Sequence, residues 1–430
     1  MSKSNLEEIL DLAYTAGASH AEVYQVSSEA SPVSFEGNRL KQIETSQSSG
    51  CALRLWREGC PGLAVAYGKV DPATLVSKAI AISALNPPET PELTKTTTAV
   101  YPQVGEIIPT ADLVNLGEEA IASIREEYPE VICNGELISE LETTTLINSS
   151  GFYGQYSSVE HSCFLGVELI RGEDFLGIYA GEDSETDLNY QPIVNQLLQR
   201  LQWAKQNVPS PQGKQPVLIT PIAADLLWSN LSAALNSKRV LEKSSPWSEK
   251  QGQMVVSDLL SFRQQPHLRG ITCPFDDEGT PTQDLTLIEK GIVQEFYSDR
   301  TTAKARGTTS TGNGFRPSLG HYPTPILVNL TLDPGTENLE NLIQKLDNGI
   351  IIDQILGGGP DISGDFSVNL DLGYRVENGE IIGRVKDTMV AGNVYEALKK
   401  VVAIGNDVNT SGFYRTPSVI VEGLSLTTSA

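Results

Sequence analysis

The chain has 430 residues, which is enough for two or three domains with real cores. Its formal net charge of −23, with no run of Lys or Arg, argues against direct binding to nucleic acid phosphates. No apolar run reaches the roughly eighteen residues needed to span a bilayer. The first twenty residues combine acidic side chains with a helical period, unlike a secretory signal, so we predict a soluble cytoplasmic protein with no membrane contact.

Cysteine and histidine are too scattered to form a familiar metal site. The five cysteines contain no Cys-x-x-Cys pair and are predicted to be reduced, buried thiols: Cys51, Cys60, Cys133, Cys163 and Cys273. None of the four histidines begins a His-Glu pair: His20, His161, His267 and His321. A peptidase-type zinc site needs two histidines on one helix face with a glutamate between them. We therefore assign no catalytic residue, no metal ligand and no cofactor.

In the first part of the chain, helical and strand patterns alternate. Apolar spacing predicts a helix over residues 5–16 that ends at Gly17, and a second helix that begins at Asp71-Pro72 and ends near residue 84. Strands are predicted over residues 21–26, 33–43, 50–56 and 63–67. A Pro- and Thr-rich connection follows over residues 86–110.

The next segment continues the mixed pattern. Helices are predicted over residues 111–126 and 192–207, and strands over 131–141, 144–148 and 159–179, with a turn at 148–151. The run Pro209-Ser210-Pro211-Gln212-Gly213 is the best domain boundary. We predict an α+β fold with mixed or antiparallel sheets, divided into an N-terminal domain (1–208, with sub-parts 1–85 and 110–208) and a β-rich C-terminal domain (214–430).

The C-terminal half is predicted to be rich in short strands. A strand at 217–220 leads into a helix that Thr220 would cap, with Pro221 at its first position. Further strands are predicted at 271–275, 285–288, 292–297, 326–332 and 416–422, a helix at 339–347, and a flexible Gly/Asn loop at 310–314.

Residues 362–407 carry the strongest local signals. Alternating apolar residues on both sides of Asn378-Gly379 predict a hairpin, because this pair readily adopts the two positive φ angles of a tight turn. Asn393 and Glu396 are spaced as a capping box that would open a helix over residues 394–403. Gly405 would then end that helix in a left-handed conformation.

Other chemical motifs are weak or missing. Asp276-Asp277-Glu278-Gly279 lacks the alternating spacing of a calcium loop and is interpreted as a turn. Gly-x-Ser-x-Gly and the glycine-rich phosphate loops do not occur. A serine or threonine that acts with His321 remains an open alternative.

Several segments resemble the TldD/PmbA family, also named modulators of DNA gyrase. The similarity is carried in order by Gly37-Asn38-Arg39-Leu40, Ser48-Ser49-Gly50, Asn148-Ser149-Ser150-Gly151, residues 274–281, Ser310-Thr311-Gly312-Asn313, residues 362–407 and residues 416–424. The resemblance implies two-domain α+β subunits that dimerise in a cytoplasmic proteolytic system acting on peptides and unfolded chains.

The same resemblance implies that TldD-type subunits bind zinc through His-Glu-x-x-x-His and a Cys near the C-terminus, whereas PmbA/TldE-type partners lack the motif. Here the comparable helix, residues 226–235, contains no His and no Glu, and no Cys follows Cys273. Thr410-Ser411 stands in the comparable C-terminal loop. We therefore predict a non-catalytic PmbA/TldE-like subunit.

Its predicted partner is a TldD-like zinc peptidase subunit or a second copy, and its predicted substrate is a peptide or an unfolded polypeptide. Two alternatives stay open. One is a self-sufficient hydrolase that uses Ser310 to Asn313 or His321. The other is a protein that binds gyrase or a toxin-antitoxin component.

Overall fold

The computed structural model describes residues 3–184, 186–268 and 273–428. The first half contains these elements: α1 (Lys3–Thr15), β1 (His20–Ala30), β2 (Val33–Glu36), β3 (Arg39–Ile43), β4 (Ser46–Arg57), β5 (Cys60–Tyr67), α2 (Pro72–Ser83), β6 (Thr97–Val100), α3 (Thr110–Glu127), β7 (Ile132–Asn148), β8 (Phe152–Arg171), β9 (Asp174–Ser184) and α4 (Tyr190–Trp203).

The second half is built mainly from strands. Its elements are β10 (Gly213–Ile219), α5 (Asp225–Ala234), α6 (Ser237–Leu241), β11 (Phe262–Gln264), β12 (Leu285–Glu289), β13 (Ile292–Val293), α7 (Arg300–Arg306), β14 (Gly314–Phe315), β15 (Thr324–Pro325), β16 (Leu330–Leu332), α8 (Leu339–Leu346), β17 (Gly349–Leu356), β18 (Asp365–Glu377), β19 (Glu380–Val385), β20 (Thr388–Asn393), α9 (Val394–Leu398), β21 (Val401–Ile404), β22 (Asn409–Ser411), β23 (Tyr414–Thr416) and β24 (Val419–Thr428). The predicted α+β, β-rich fold class is confirmed.

A nine-stranded sheet organises the described part of the N-terminal half, with the order β3-β2-β7-β1-β4-β5 and with β8 joining β7 to β9 and β6. Helices α1 and α2 share a core with β1 and β4, and α3 and α4 share another with β7, β8 and β9. The opposite face of β8 and β9 leaves Phe164, Ile170 and Phe175 exposed.

The C-terminal half contains a ring of strands. The order β10-β17-β18-β20-β24 closes on itself because β24 also pairs with β10. A second sheet, β13-β12-β11-β16-β23-β22, shares one core with this ring and with α5. Alternate residues of β17 face two cores: Ile350 and Ile352 face α5, whereas Ile351 packs with the N-terminal helices.

The predicted hairpin within residues 362–407 is confirmed. Asn378 and Gly379 have φ angles of 52° and 75° between β18 and β19. The predicted cap is also confirmed, since the Asn393 side chain accepts a hydrogen bond from the backbone N–H of Glu396 at 3.3 Å. The reciprocal half of the capping box is wrong, because the Glu396 carboxylate instead accepts from Lys399 at 2.7 Å.

The helix predicted over residues 394–403 is too long. It ends at Leu398, and residues 401–404 form β21, which pairs with β24. Buried Val401 and Ala403 alternate with exposed Val402, which is a strand pattern. Gly405 does not adopt the predicted left-handed conformation; a Cβ there would lie 2.1 Å from a carboxylate oxygen of Asp407, so a larger residue would displace the Asp407 side chain.

Other boundaries also differ from the predictions. Residues 132–148 are one continuous strand, β7. The strand predicted over residues 159–171 with a continuation through 179 is two strands, β8 and β9, separated by a turn. The connection over residues 86–110 contributes β6, which pairs in parallel with β8. Strands β17 and β20 were not predicted; β17 is buried on both faces, so its isoleucine run lacks the alternation of a half-buried strand.

Several predictions around residues 190–332 need correction. Helix α4 covers Tyr190–Trp203 rather than 192–207, and only short parts of the strands predicted at 292–297 and 326–332 are strands. The strand predicted at 271–275 lies partly outside the described residues, and residues 273–275 are not in a strand. Thr220 does not cap α5, because its hydroxyl donates to the Asp353 carbonyl at 3.4 Å and a turn precedes Asp225.

Candidate functional site

Helix α5 occupies the position at which the family resemblance implies a zinc motif. It follows β10 and buries Leu226, Leu227 and Leu231 almost completely. Trp228 is also fully buried; its indole N–H donates to the Thr416 hydroxyl at 3.0 Å, and its ring lies edge-on to Phe262 at 5.0 Å between centroids. Apolar packing and one neutral hydrogen bond therefore fill the inner face of this helix.

The remaining side chains of α5 do not fit a zinc ion either. Asn230 donates to the Asp361 carbonyl at 2.8 Å, and Ser232 donates to the carbonyl of Trp228 within the same helix. Zinc takes Cys sulfur, His nitrogen or carboxylate oxygen as ligands. The side chains that α5 buries supply none of these groups, and its one carboxylate, Asp225 at the first residue, is exposed. Thr410 and Ser411, in the comparable C-terminal loop, form part of the short strand β22. No metal-binding group of His, Cys, Asp or Glu occurs within the described ranges.

A cavity of about 350 Å³ lies beside the start of α5, between α4 and the strand ring. Its main feature is a buried ion pair in which Arg200 Nε and Nη2 donate to the two carboxylate oxygens of Asp353 at 2.6 and 3.2 Å. On another wall, Asp407 accepts from the Ser418 hydroxyl at 2.6 Å, and burial raises the pKa of Asp407. Because Arg200 already neutralises Asp353, the cavity wall is polar at this point but offers a ligand no unpaired carboxylate there.

The acidic run Asp276-Asp277-Glu278 is buried and organises the contact between the two halves. The Asp276 carboxylate accepts three backbone N–H groups, those of Glu278, Thr280 and Gly314, at 2.8 to 3.0 Å. Asp277 accepts from the backbone N–H of Arg316 at 2.7 Å, and Glu278 from that of Arg300 at 2.9 Å. The turn interpretation is confirmed, and these carboxylates hold neighbouring loops in place.

Burial also perturbs the acidity of this run. It raises the pKa of Asp277 to about 6 and that of Glu278 to about 7. Opposite charge comes from Arg316, whose guanidinium lies 3.2 Å from Glu22 on β1. Glu22 also pairs with Arg54 at 3.0 Å. This network joins the N-terminal sheet to the C-terminal loops, a long-range role that no local sequence signal indicated.

The Gly/Asn loop at 310–314 is not the flexible loop that we predicted. Thr311 and Asn313 are buried. The Thr311 hydroxyl accepts from the Ser298 backbone N–H at 2.7 Å and lies 2.7 Å from the amide oxygen of Asn313. Asn313 in turn donates to the carbonyl of Ile326 at 2.8 Å. These bonds give the loop a structural role.

The histidines lie in unrelated environments. His321 is exposed and its Nδ1 lies 2.7 Å from the hydroxyl of Ser318, three residues earlier in the same loop. His161 is buried with its Nδ1 3.0 Å from the Ser139 hydroxyl, and burial lowers its pKa. His321 is thus hydrogen-bonded to Ser318 and not to Thr311, the threonine proposed for the hydrolase alternative.

The cysteine prediction holds for four of the five thiols. Cys51, Cys133, Cys163 and Cys273 are buried, Cys60 is half-buried, and all five are free. Burial raises the pKa of Cys273 to about 12, which keeps this thiol protonated at neutral pH. None of the helices in the described ranges combines the length and the apolarity needed to cross a bilayer.

Comparison with known proteins identifies the class to which this fold belongs. Residues 212–428 match the model of the PmbA/TldA metallopeptidase C-terminal domain, and residues 21–83 match that of PmbA/TldA metallopeptidase domain 1. The chain belongs to the PmbA/TldD family, as the sequence resemblance predicted.

Individual relatives agree with this assignment. The chain is 37% identical over 134 residues to a metalloprotease TldD homologue of Buchnera aphidicola, a match covering 31% of this chain and 28% of the relative. It is 26% identical over 296 residues to a metalloprotease PmbA homologue of Haemophilus influenzae, covering 65% and 61%. These matches thus span less than two thirds of either relative's length.

Similarity to solved structures extends over the whole fold. The crystal structure of TldE from Thermococcus kodakarensis superimposes with a TM-score of 0.88 at 23% identity, covering 98% of this chain and 99% of that one. A proposed DNA gyrase modulator from Thermotoga maritima superimposes with a TM-score of 0.86, also at 23% identity, covering 99% and 100%. At this identity the likeness establishes the fold.

Proposed function

We propose that this chain is a PmbA/TldE-type subunit that holds no zinc of its own and pairs with a zinc-bearing TldD-type metallopeptidase. One observation carries the proposal: at the position of the family's zinc motif, α5 buries Leu227, Trp228 and Leu231 in the core. A ligand set cannot arise there by rotation of side chains, because none of these groups can donate a lone pair to zinc.

In this proposal the chain completes the wall of its partner's substrate channel, and the substrate is a peptide or an unfolded polypeptide. The assembly is a cytoplasmic dimer with a TldD-like subunit, or with a second copy where that subunit is absent. Similarity to both TldD and PmbA homologues and to a TldE structure supports the pairing. We further propose that residues 1–208 and 214–430 act as its two domains.

Zinc analysis of tag-free protein tests this proposal, because a polyhistidine tag would itself bind zinc. The chain is purified alone and after co-expression with a TldD-like protein, and zinc and cleavage of an unfolded fluorescent casein are measured for each. We expect zinc and cleavage only in the co-expressed sample. If replacing the motif histidines of the partner abolishes both zinc binding and casein cleavage, the zinc site and the activity belong to the partner.

The opposite result is equally clear. One zinc per chain together with casein cleavage by the chain alone would contradict the proposal. Failure of the two proteins to co-purify would contradict the pairing while leaving the assignment of α5 intact.

A further inference from the structure

The outer face of β7, β8 and β9 carries a groove of about 670 Å³ that is separate from the cavity beside α5. The opposite face of these strands is buried against α3 and α4. An antiparallel sheet with one buried face normally presents polar side chains to water on the other. Here the exposed face presents aromatic rings instead: Phe164 and Phe175 are 49% and 56% exposed.

Glycines form the floor between these rings. The Phe164 ring lies over Gly181 and the Phe175 ring over Gly177, as the contacts of an added Cβ at each glycine show. Gly166 lies between them, paired with Asn134 and Tyr179 on the flanking strands. A Cβ at Gly166 would approach nothing closer than backbone oxygens at 3.9 Å, so it would enter the open groove.

Carboxylates surround this aromatic floor. Glu36, Glu136, Glu168 and Asp371 line the groove, and the one lysine among the lining residues, Lys41, forms an ion pair with Glu36. Neutral donors contact two of the others: the Ser34 hydroxyl lies 3.4 Å from Glu136, and the Asn134 amide donates to Glu168 at 3.1 Å. The groove therefore keeps an excess of negative charge beside exposed π faces.

Its ring geometry suits a flat or cationic group. The ring centroids of Phe164 and Tyr179 are 5.6 Å apart at an interplanar angle of 33°. The pKa of Tyr179 is raised mainly by burial and further by the nearby charge of Asp371, which places this carboxylate close to the rings. Aromatic faces attract ammonium and guanidinium groups, and guanidinium also stacks on them. An acidic rim adds long-range attraction for the same groups.

We propose that this groove binds an extended polypeptide through its arginine or lysine side chains, with the aliphatic stem on the aromatic floor and the cationic head at the acidic rim. The groove crosses β2, β7, β8 and β9, about 14 Å at the usual strand spacing, which is the length of about four extended residues. This site belongs to the chain itself and does not depend on the proposed partner.

A second copy of the chain suits this face less well. A symmetric contact places the same patch of each subunit against the other. The acidic rim of one copy, with Glu136 and Glu168, would then face the acidic rim of the other, and like charges brought together in a partly buried contact are unfavourable. A cationic polypeptide neutralises the rim instead.

Calorimetric titration of the isolated chain tests the proposal with the capped tetrapeptide Arg-Phe-Arg-Phe and its acidic counterpart Glu-Phe-Glu-Phe. We expect the basic peptide to bind at about 50 mM salt and to weaken at about 300 mM, since screening shortens the reach of the rim charges. The acidic peptide should not bind. Absence of binding by the basic peptide at millimolar concentration, or equal binding of both, would overturn the proposal.

Variants locate the binding to the groove. Gly166→Val should lower the affinity for the basic peptide by about tenfold or more, because the valine methyl groups occupy volume that the peptide side chains need for stacking. Gly358→Val, at a glycine with open space around it in the loop after β17, is the control and should bind the basic peptide normally. Glu136→Gln and Glu168→Gln should each weaken binding by about threefold and flatten its salt dependence, whereas Glu242→Gln, at an exposed position just after α6, should not.

These results separate the possible outcomes. Normal binding by folded Gly166→Val together with normal binding by the double variant Glu136→Gln/Glu168→Gln would refute the groove as the site. If Gly166→Val does not fold, the double variant alone decides. If Gly166→Val instead changes the oligomeric state measured by light scattering without peptide, the face is an interface between copies and the proposal is wrong.

Discussion

The ion pair between Arg200 and Asp353 offers a quantitative test of how the two halves are held together. Asp353 has no exposed side-chain surface and the Arg200 side chain is 9% exposed, with donor-acceptor distances of 2.6 and 3.2 Å. Arg200→Met retains an aliphatic side chain but leaves a buried carboxylate without its partner. Removing one member of a buried pair costs about 3–5 kcal/mol, a large share of a typical stability of about 5–15 kcal/mol.

Urea unfolding at neutral pH, followed by tryptophan fluorescence, measures this loss. Lys399→Met is the matched control because its pair with Glu396 is exposed and should contribute about 0.5 kcal/mol or less. Adding Asp353→Asn to Arg200→Met should recover much of the lost stability by removing the unpaired charge. A loss below about 1 kcal/mol for Arg200→Met, or a double variant less stable than the single one, would refute the reasoning.

Two further predictions concern the acidic run and a strand glycine. Asp277 is buried beside Arg316, Glu22 and Tyr24, and burial raises its folded-state pKa to about 6, above the ordinary value of 3.8. Protonation of Asp277 therefore favours the folded state. Its contribution to the free energy of unfolding should therefore rise as pH falls from about 7 to about 4, by on the order of 1–3 kcal/mol. Urea midpoints of Asp277→Asn should lack this part of the pH dependence, and an unchanged profile would contradict the assignment. At Gly62 a Cβ would lie 2.0 Å from the Ala79 carbonyl oxygen, so Gly62→Ala should lower the free energy of unfolding by about 2 kcal/mol or more, whereas Gly358→Ala, in open space, should have little effect. Equal urea midpoints for these two glycine variants would contradict the tight packing of α2 on β5.

Local chemistry explains which elements were predictable from sequence. Asn378-Gly379 and Asn393 specify a turn and a cap through their own backbone preferences and side-chain oxygens, so the hairpin and the start of α9 were predicted correctly. The end of α9 was not, because Val401 and Ala403 fit either a helix face or a strand. Pairing with β24, in which Val401 lies opposite Val421 and Ala403 opposite Ile420, decides in favour of the strand.

Buried elements were the harder case. The run at 349–352 has no period-2 alternation because β17 is covered on both faces, so the strand gave no distinct signal. The Gly/Asn composition at 310–314 indicated flexibility, yet its polar groups bond to Ser298 and Ile326 in the interior. Composition indicates a loop, but it cannot reveal which distant residues will form hydrogen bonds with the polar groups of that loop.

The candidate site shows the same division. That α5 contains no His and no Glu is visible in the sequence, whereas Arg200 and Asp353 are 153 residues apart and carry no mutual signal. The aromatic groove is a related case. Along β8, Phe164 and Gly166 show no pattern that distinguishes them from other strand residues. They form an aromatic groove only because β9 places Phe175 and Tyr179 beside them.

Together, α5 and its surroundings show why a zinc site could not be restored here by exchanging one or two side chains. A histidine in place of Trp228 would remove the ring that packs on Phe262 and would leave the Thr416 hydroxyl without its indole donor. A glutamate next to it on the inner face would bury a charge among leucines, where unpaired carboxylates are strongly disfavoured. Metal ligands would therefore require a repacked core together with a third ligand in the loop around Thr410 and Ser411. Helix α5 packs the strand ring against the second sheet, so a metal site at this position and the present core packing exclude each other.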